Sequence, residues 1–186
     1  MVHLYLVRHG ETNENVKKIL QGHLPSHLNK NGQKQAEELS LYLEKNLIDF
    51  DEFVTSDLNR ALETTFIINK KFSKPIKSTP LLRERDWGSL TGVSLTDSHI
   101  DSFPPDIESI ESLFNRANKF IQYLLKHFDN KTILAVGHGL FNRCILAYHS
   151  SKTIQDIPPM KNTEIRDLYI YNPPCGVPSS LISNIP

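Results

Sequence analysis

The sequence predicts an α/β fold, namely a three-layer α/β/α sandwich with a mostly parallel central sheet. Short apolar runs typical of buried strands alternate along the chain with longer segments whose apolar residues recur at helical spacing. This alternation is typical of parallel sheets that are covered by helices. The length of 186 residues, with 39% hydrophobic and 23% charged residues, fits one globular domain with a full core.

The predicted strands are short apolar runs that end at polar or turn-forming residues. In chain order they cover residues 2–7, 53–55, 76–78, 133–136 and 165–171. The predicted helices have apolar residues at positions i, i+3, i+4 and i+7. In chain order they cover residues 33–47, a segment that follows residue 57 and ends near 72 or 73, residues 110–128 and residues 140–148.

Turn-forming and capping residues set the boundaries of these elements. Ser56 or Asp57 is expected to begin the second helix, and Asp57 is the favoured cap because its carboxylate can accept from the free N–H groups of the first turn. Residues 79–106 are expected to be irregular, since glycines and prolines interrupt every pattern there. We assign residues 1–172 to the domain and residues 173–186 to a C-terminal tail.

Charge and cysteine content exclude several classes of protein. Equal numbers of basic and acidic residues give a formal net charge of zero, so no overall field attracts nucleic acid or an anionic membrane. Two cysteines cannot form a disulfide framework. The sequence has no run of the roughly 20 apolar residues that a membrane span needs, and its first residues do not resemble a signal peptide. We expect a cytoplasmic protein with no nucleic-acid or membrane partner; its oligomeric state stays open.

Three predicted strand ends carry the polar residues of a candidate site. They are Arg8-His9-Gly10, Ser56-Asp57 and Gly137-His138-Gly139. In parallel sheets ligands bind beyond the carboxyl ends of the strands, so these segments are expected to be neighbours. Arg60 follows one helical turn after Ser56. Two arginines and two histidines that converge in a neutral protein predict an anion site, because guanidinium forks match phosphate oxygens.

Two features of the backbone support an anion site at these strand ends. Gly10 and Gly139 have no Cβ atom, which would allow the chain to approach a ligand closely. The helix that starts after His138 presents free N–H groups, which favour an anion.

Four blocks of sequence together carry a resemblance to a known family. In chain order they are Arg8-His9-Gly10-Glu11-Thr12 with Asn15 and Gln21-Gly22, Thr55-Ser56-Asp57-Leu58 with Arg60-Ala61 and Thr64, Leu82-Arg83-Glu84-Arg85-Asp86-Trp87-Gly88 with Leu90-Thr91-Gly92, and Gly137-His138-Gly139. In this order the chain, from residue 2 to about residue 170, resembles the histidine phosphatase superfamily, also called the phosphoglycerate mutase-like family.

The resemblance implies a role for each catalytic residue. His9 matches the nucleophile, a neutral imidazole nitrogen that attacks phosphorus and forms a phosphohistidine. Arg8, Arg60 and His138 match the clamp that balances charge on the phosphoryl oxygens in the transition state. Glu84 matches the general acid that protonates the leaving oxygen and then takes a proton from the attacking water.

Glu84 has a second interpretation when it is taken alone. A carboxylate flanked by Arg83 and Arg85 is usually a surface group that pairs with one of these arginines. Only the surrounding block of the resemblance favours the catalytic role.

Further substrate contacts are expected from residues with less specific signals. These are Asn15, Gln21, Gly22, Arg83 and Leu140. Residues that could set selectivity include His23, Ser26, Arg85, Trp87 and the stretch 94–110. No histidine, cysteine or carboxylate cluster has metal-ligand spacing, so neither a metal nor another cofactor is expected.

Three functions are compatible with this resemblance. The sequence favours a phosphatase for small phosphate monoesters, because residues 93–112 are short, acidic and without Lys or Arg, whereas a mutase needs cations and a cover there. Asp86-Trp87 stands where mutases tend to have His-Tyr, although Leu90-Thr91-Gly92 is mutase-like. A phosphoglycerate mutase is the alternative. A non-catalytic phospho-ligand binding protein is disfavoured, because all the implied catalytic residues are present.

Overall fold

The computed structural model describes residues 1–96 and 103–171, which contain a five-stranded sheet. Its strands are β1 (Val2–Arg8), β2 (Glu52–Ser56), β3 (Ile76–Thr79), β4 (Thr132–Gly137) and β5 (Ile165–Ile170). Their spatial order is β3-β2-β4-β1-β5. Strand β5 runs antiparallel to β1, and the other neighbouring strands are parallel. The predicted C-terminal tail, 173–186, and part of the acidic segment, 97–102, lie outside the described residues.

The helices pack on both faces of this sheet. They are α1 (Asn13–Val16), α2 (Lys30–Lys45), α3 (Asn59–Phe72), α4 (Ile110–His127) and α5 (Gly139–Ser150). The four long helices were predicted to within a few residues, whereas the single turn α1 was not predicted. Among the described helices, none combines the length and the hydropathy that crossing a membrane would require.

Strand β4 explains why the molecule has three layers. Its side chains alternate between the faces of the sheet, as in any strand. Ile133 and Ala135 belong to the hydrophobic core that contains α4 and α5. Leu134 and Val136 belong to the core that contains α2 and α3. The sheet is therefore buried on both sides, and the predicted three-layer α/β/α sandwich with a mostly parallel sheet is confirmed.

The start of α3 differs from the prediction. Leu58 occupies the cap position and makes no side-chain cap hydrogen bond. The carboxylate of Asp57 instead accepts from Nε of Arg83 at 2.7 Å and from its NH2 group at 2.6 Å. The proposed Asp57 cap is therefore wrong, because a two-pronged guanidinium offers stronger, charge-assisted bonds than the N–H groups of a helix end.

Residues 79–106 are only partly irregular. Two short 3-10 helices, Pro80–Leu82 and Gly88–Leu90, lie in this stretch. Gly88 has a φ of +49°, in the left-handed region that favours glycine, and Asp106 receives hydrogen bonds from the amide and hydroxyl groups of Ser89. These local bonds fold the stretch against itself beside the carboxyl ends of the strands.

Candidate active site

A cavity of about 240 Å³ opens at the carboxyl ends of β1, β2 and β4. Of the residues predicted to form the site, the following line this cavity: Arg8, His9, Asn15, Gln21, Arg60, Glu84 and Leu140. His138 is fully buried beside His9, with 5.2 Å between the ring centroids. Gly22 and Arg83 lie outside this lining.

The tautomer of His9 follows from its hydrogen bonds. Its Nδ1 atom lies 2.6 Å from the carbonyl oxygen of Gly10, which can only accept, so Nδ1 carries the proton. Nε2 therefore has the lone pair, and Nε of Arg60 donates to it at 3.2 Å. Burial and the positive charges of Arg60 and Arg8 hold the pKa of His9 well below its usual range. The imidazole is thus neutral at pH 7, and its Nε2 carries a lone pair that accepts the hydrogen bond from Arg60.

Arg60 is held rigidly from the opposite side. Its guanidinium donates to the carbonyl oxygens of Gly22 at 2.8 Å and Leu24 at 3.2 Å, and to the hydroxyl of Ser26 at 3.1 Å. Burial lowers its pKa to about 10, so it stays charged at neutral pH. Gly22 was predicted to contact substrate, but its carbonyl holds Arg60, and its φ of +46° suits glycine.

Arg8 has one donor in use and one that is unpartnered. Its NH1 group donates to the carbonyl oxygen of Met160 at 2.6 Å. Its Nε atom is buried and has no hydrogen-bond partner among the residues that the structure describes. A Cβ atom at position 139 would lie 3.3 Å from this Nε, so Gly139 accommodates the arginine. Gly10 likewise allows the backbone of Gly32 to pass close by, because a Cβ atom at position 10 would lie 2.5 Å from the carbonyl oxygen of Gly32.

His138 also has an unpartnered nitrogen. Its Nε2 atom lies 2.8 Å from the hydroxyl of Ser56, and its buried Nδ1 has no partner within 1–96 and 103–171. Ser56 also accepts from the Leu58 amide at 3.3 Å, and because a hydroxyl can both accept twice and donate, the contact is compatible with either tautomer of His138. Burial, and then the charge of Arg60, keep the pKa of His138 well below its usual range. Arg8 Nε and His138 Nδ1 are therefore two buried nitrogens without a hydrogen-bond partner among the described residues.

Glu84 is bound to backbone rather than to either neighbouring arginine side chain. Its Oε1 atom accepts from the amides of Arg85 at 2.9 Å and Phe141 at 3.1 Å, and its Oε2 accepts from Leu140 at 3.2 Å. The N-terminus of α5, predicted to favour an anion, thus binds the protein's own carboxylate. The alternative in which Glu84 pairs with the side chain of Arg83 or Arg85 is not what the structure shows.

Asn15 and Gln21 present amide groups to the cavity. The side-chain oxygen of Asn15 accepts from the amide of Thr12 at 3.1 Å. The side-chain oxygen of Gln21 accepts from the hydroxyls of Thr12 at 3.1 Å and Ser26 at 2.7 Å. Because their oxygens are engaged in this way, the NH2 group of each amide is the part left to donate to a ligand.

The loop between α5 and β5 contributes residues that sequence reasoning missed. Met160 and Pro159 line the cavity, and the side-chain amide of Asn162 donates to the backbone oxygen of His9 at 2.9 Å. Arg143, also in the lining, holds the same loop through the carbonyl oxygens of residues 154 and 157. This loop has no periodic pattern, and its prolines were its only signal in the sequence.

The cavity can bind a phosphoryl group with positive donors on several sides of a neutral imidazole. No group of three or more histidine, cysteine or carboxylate side chains that could hold a metal occurs in the described part of the chain. Positive charge in the cavity comes from Arg8, Arg60 and Arg143.

Comparison with known proteins identifies relatives of the same design. The family model of the histidine phosphatase superfamily (branch 1) matches residues 4–174. A broad-specificity phosphatase of Saccharomyces cerevisiae is 31% identical over 176 residues, covering 92% of this chain and 76% of that protein. The probable phosphoglycerate mutase GpmB of Proteus mirabilis is 29% identical over 180 residues, covering 89% of this chain and 80% of that protein. A phosphoserine phosphatase mutant from Entamoeba histolytica, solved in complex with phosphoserine, superposes with a TM-score of 0.79 at 26% identity and 92% coverage of each chain.

These relatives include both phosphatases and a probable mutase, so the matches indicate an enzyme of phosphatase or mutase type. The family model spans nearly all of the described residues, in agreement with the order of the motifs in the sequence. The chain belongs to the histidine phosphatase superfamily, branch 1.

Proposed function

We propose that this protein is a metal-independent phosphatase that hydrolyses small phosphate monoesters through a phosphohistidine on His9. The observation that carries the proposal is the state of His9. Its imidazole is neutral, its Nδ1 proton is fixed on the Gly10 carbonyl, and its Nε2 lone pair faces Arg60. A nitrogen held in this way is ready to attack without first losing a proton.

The first chemical step transfers the phosphoryl group to His9. The Nε2 lone pair forms a bond to phosphorus while the bond from phosphorus to the ester oxygen breaks. Glu84, in its protonated form, gives a proton to that oxygen, and an alcohol leaves. Arg8, Arg60 and His138 offer donors to the phosphoryl oxygens and balance the charge that develops there.

The second step regenerates the enzyme with water. The Glu84 carboxylate takes a proton from a water molecule whose oxygen attacks phosphorus, and the bond from phosphorus to Nε2 breaks. The lone pair returns to His9, inorganic phosphate leaves, and Glu84 is again protonated. The net reaction consumes one ester and one water and yields one alcohol and one phosphate.

The cavity lining favours a leaving group with an apolar face. Beside the charged and amide residues already described, the lining includes Ile19, Leu20, Trp87, Leu140, Pro159 and Met160. The Arg85 guanidinium stacks on Trp87 at 4.7 Å from the ring centre and so supports this wall from behind. The S. cerevisiae relative bears the name of a broad-specificity phosphatase, which agrees with a wall that recognises shape more than charge.

A phosphoglycerate mutase remains the second candidate, because the P. mirabilis relative has that name. Such an enzyme has to bind a carboxylate and a second phosphate. Arg143 is the cation in the cavity that is not adjacent to His9, and it donates from Nε at 2.7 Å and from NH2 at 2.6 Å to backbone carbonyls. This engagement favours the phosphatase.

The test is hydrolysis of p-nitrophenyl phosphate in the presence of a chelator. We expect full activity, and a phosphate adduct on His9 when turnover is quenched in an alkaline denaturant that preserves N–P bonds. His9→Ala is expected to lower kcat by about 10⁴-fold or more. His127→Ala, at an exposed position outside the cavity, is the matched control. Loss of activity in chelator, or an adduct on His138 instead, would contradict the mechanism.

A further inference from the structure

A second arginine network lies outside the cavity and behind Glu84. We propose that Arg116, with its ion-pair partner Glu108, is a positioning residue that holds Glu84 in place as the proton donor. This inference rests on the proposed function, in which Glu84 is the general acid. Arg116 is on α4, is not part of the cavity lining, and makes no hydrogen bond to Arg8, Arg60 or His138 in the described part of the chain.

Arg116 first fixes the backbone that carries Glu84. Its NH1 group donates to the carbonyl oxygens of Arg83 at 2.6 Å and Leu81 at 3.2 Å. Its NH2 group lies 3.4 Å from the carbonyl oxygen of Glu84 itself. One planar guanidinium thus spans three carbonyls of the segment 81–84, which is otherwise a short 3-10 helix and an extended turn.

Arg116 also contacts the residue that holds the Glu84 carboxylate. The centre of its guanidinium lies 3.8 Å from the centre of the Phe141 ring. The backbone amide of Phe141 donates to Oε1 of Glu84 at 3.1 Å. The same guanidinium therefore fixes both the main chain of Glu84 and the first turn of α5, which receives its side chain.

Glu108 orients this guanidinium and joins the next part of the loop to it. Its carboxylate accepts from Nε of Arg116 at 3.0 Å and from NH2 at 2.7 Å, and both side chains are about 15% exposed (16% and 14%). The backbone amide of Asp86 donates to the Glu108 carboxylate at 3.2 Å, and the backbone amide of Glu108 donates to the carbonyl oxygen of Asp86 at 2.9 Å. A largely buried, two-pronged pair of this kind is geometrically specific.

A lysine cannot replace this arrangement. Its ammonium has three donors around one point and no flat face for Phe141, whereas the guanidinium uses its fork and its plane together. Loss of the fork would let the segment 81–84 shift, and a displacement of about 1 Å at a catalytic group can cost up to roughly 100-fold in rate. The phosphoryl donors Arg8, Arg60 and His138 are held by other elements and would stay in place.

The consequence is a change that depends on the leaving group. Kcat/KM reports the steps up to phosphorylation of His9, in which Glu84 protonates the departing oxygen. Nitrophenolate leaves with little need for a proton, whereas the alkoxide of glycerol needs one. Arg116→Lys should therefore lower kcat/KM about tenfold for glycerol phosphate and much less for p-nitrophenyl phosphate.

The control is Lys131→Gln. Lys131 also forms an ion pair with a carboxylate, that of Glu52, but at the amino ends of β4 and β2 and away from the cavity. It contributes nothing to the cavity lining, so the ratio of kcat/KM for the two substrates should equal that of the wild type. If Arg116→Lys does not fold, Glu108→Gln weakens the same network and should shift the ratio in the same direction.

A double-mutant cycle with Glu84→Gln separates the possible failures. Glu84→Gln alone should shift the ratio by about 10²-fold or more, and adding Arg116→Lys should shift it no further. An unchanged ratio in Glu84→Gln would overturn the proposed acid and, with it, this inference. A shift in Glu84→Gln but equal losses for both substrates in Arg116→Lys and Glu108→Gln would overturn the positioning role alone.

Discussion

At the scale of single residues, the two histidines of the site, His9 and His138, are both buried and neutral. Sequence reasoning located His9 and His138, because each follows an apolar strand and stands in a distinctive motif. The structure adds burial, which lowers the pKa of both histidines and which no local pattern reports.

Burial of two neutral histidines predicts a stability that depends on pH. The folded chain keeps His9 and His138 unprotonated at pH values where the unfolded chain, with histidine pKa values near about 6.5, takes up protons. Their contribution is therefore fully present above about pH 6.5 and is lost as the pH falls below that value. Each histidine should add a slope of up to about 1.4 kcal/mol per pH unit to the free energy of unfolding.

Urea unfolding at pH 7.0, 6.0 and 5.0 measures this slope. His9→Asn should reduce this slope by up to the contribution of one histidine. Equal slopes in the wild type and in His9→Asn would mean that the buried imidazole is not excluded from protonation.

The residue pairings around Arg83 show where sequence reasoning failed. Asp57 and Arg83 are 26 positions apart, and each was given a separate role from its local neighbours. Their ion pair forms because β2 and the turn after β3 end side by side, a tertiary fact with no local signal. Arg83 is consequently directed toward Asp57 and away from the cavity lining.

At the scale of elements, the spacing of apolar residues predicted the long helices, whose buried faces repeat along the chain. Helix α4 follows the apolar pattern through Leu113, Phe114, Ala117, Phe120 and Ile121, all of which are buried. The loop 151–164 has no such pattern, yet it supplies the carbonyl that binds Arg8 and the amide that binds the His9 backbone. Non-repeating loops gain their structure from tertiary hydrogen bonds, so the sequence alone did not reveal this wall of the site.

Asn162 tests the importance of that loop. Its side-chain amide donates to the backbone oxygen of His9 at 2.9 Å and to the side-chain oxygen of Asn15 at 3.3 Å. Asn162→Ala should lower kcat/KM by about tenfold for aryl and alkyl esters alike, because it loosens the nucleophile and not the proton donor. It should also cost about 1 kcal/mol of stability.

Asn69→Ala is the control for this prediction. The Asn69 side chain accepts from the Lys74 amide at 2.8 Å and donates to the Lys74 carbonyl oxygen at 2.9 Å. These bonds lie at the end of α3, and neither residue lines the cavity. It should lose similar stability in thermal unfolding with no change in kcat/KM. A fall in activity that is confined to alkyl esters in Asn162→Ala would show that the loop acts on Glu84 instead.

At the scale of the whole molecule, strand order creates the site. The sequence predicted a mostly parallel sheet with strand ends at one edge, but not that β4 lies between β1 and β2. This order places His138, after β4, beside both His9, after β1, and Ser56, at the end of β2. Strand order depends on how the helices and crossover connections of the full chain pack on the sheet. The sequence of a single segment does not contain this information.

The distribution of charge over the whole molecule determines how many anionic groups of a substrate the protein can bind. The chain is neutral overall, and positive charge is concentrated in one cavity by Arg8, Arg60 and Arg143. The proposed mechanism assigns the first two to the transferred phosphoryl group, and Arg143 donates to the loop 151–164. Residues 93–112 contain no Lys or Arg, and among the described ones Asp106 and Glu108 already bind Ser89 and Arg116.

A substrate with a second anion therefore has poor support, and this separates phosphatase from mutase. A mutase has to keep a bisphosphorylated intermediate bound and shut out water, which needs fixed cations for both ends of the substrate. We expect 3-phosphoglycerate, if it is accepted, to give glycerate and inorganic phosphate with little 2-phosphoglycerate, even when 2,3-bisphosphoglycerate is supplied as a primer. Phosphorus NMR follows all of these phosphorus-containing species in one sample. Isomerisation faster than phosphate release would require a second anion site that binds more tightly than this cavity permits, and would identify the protein as a mutase.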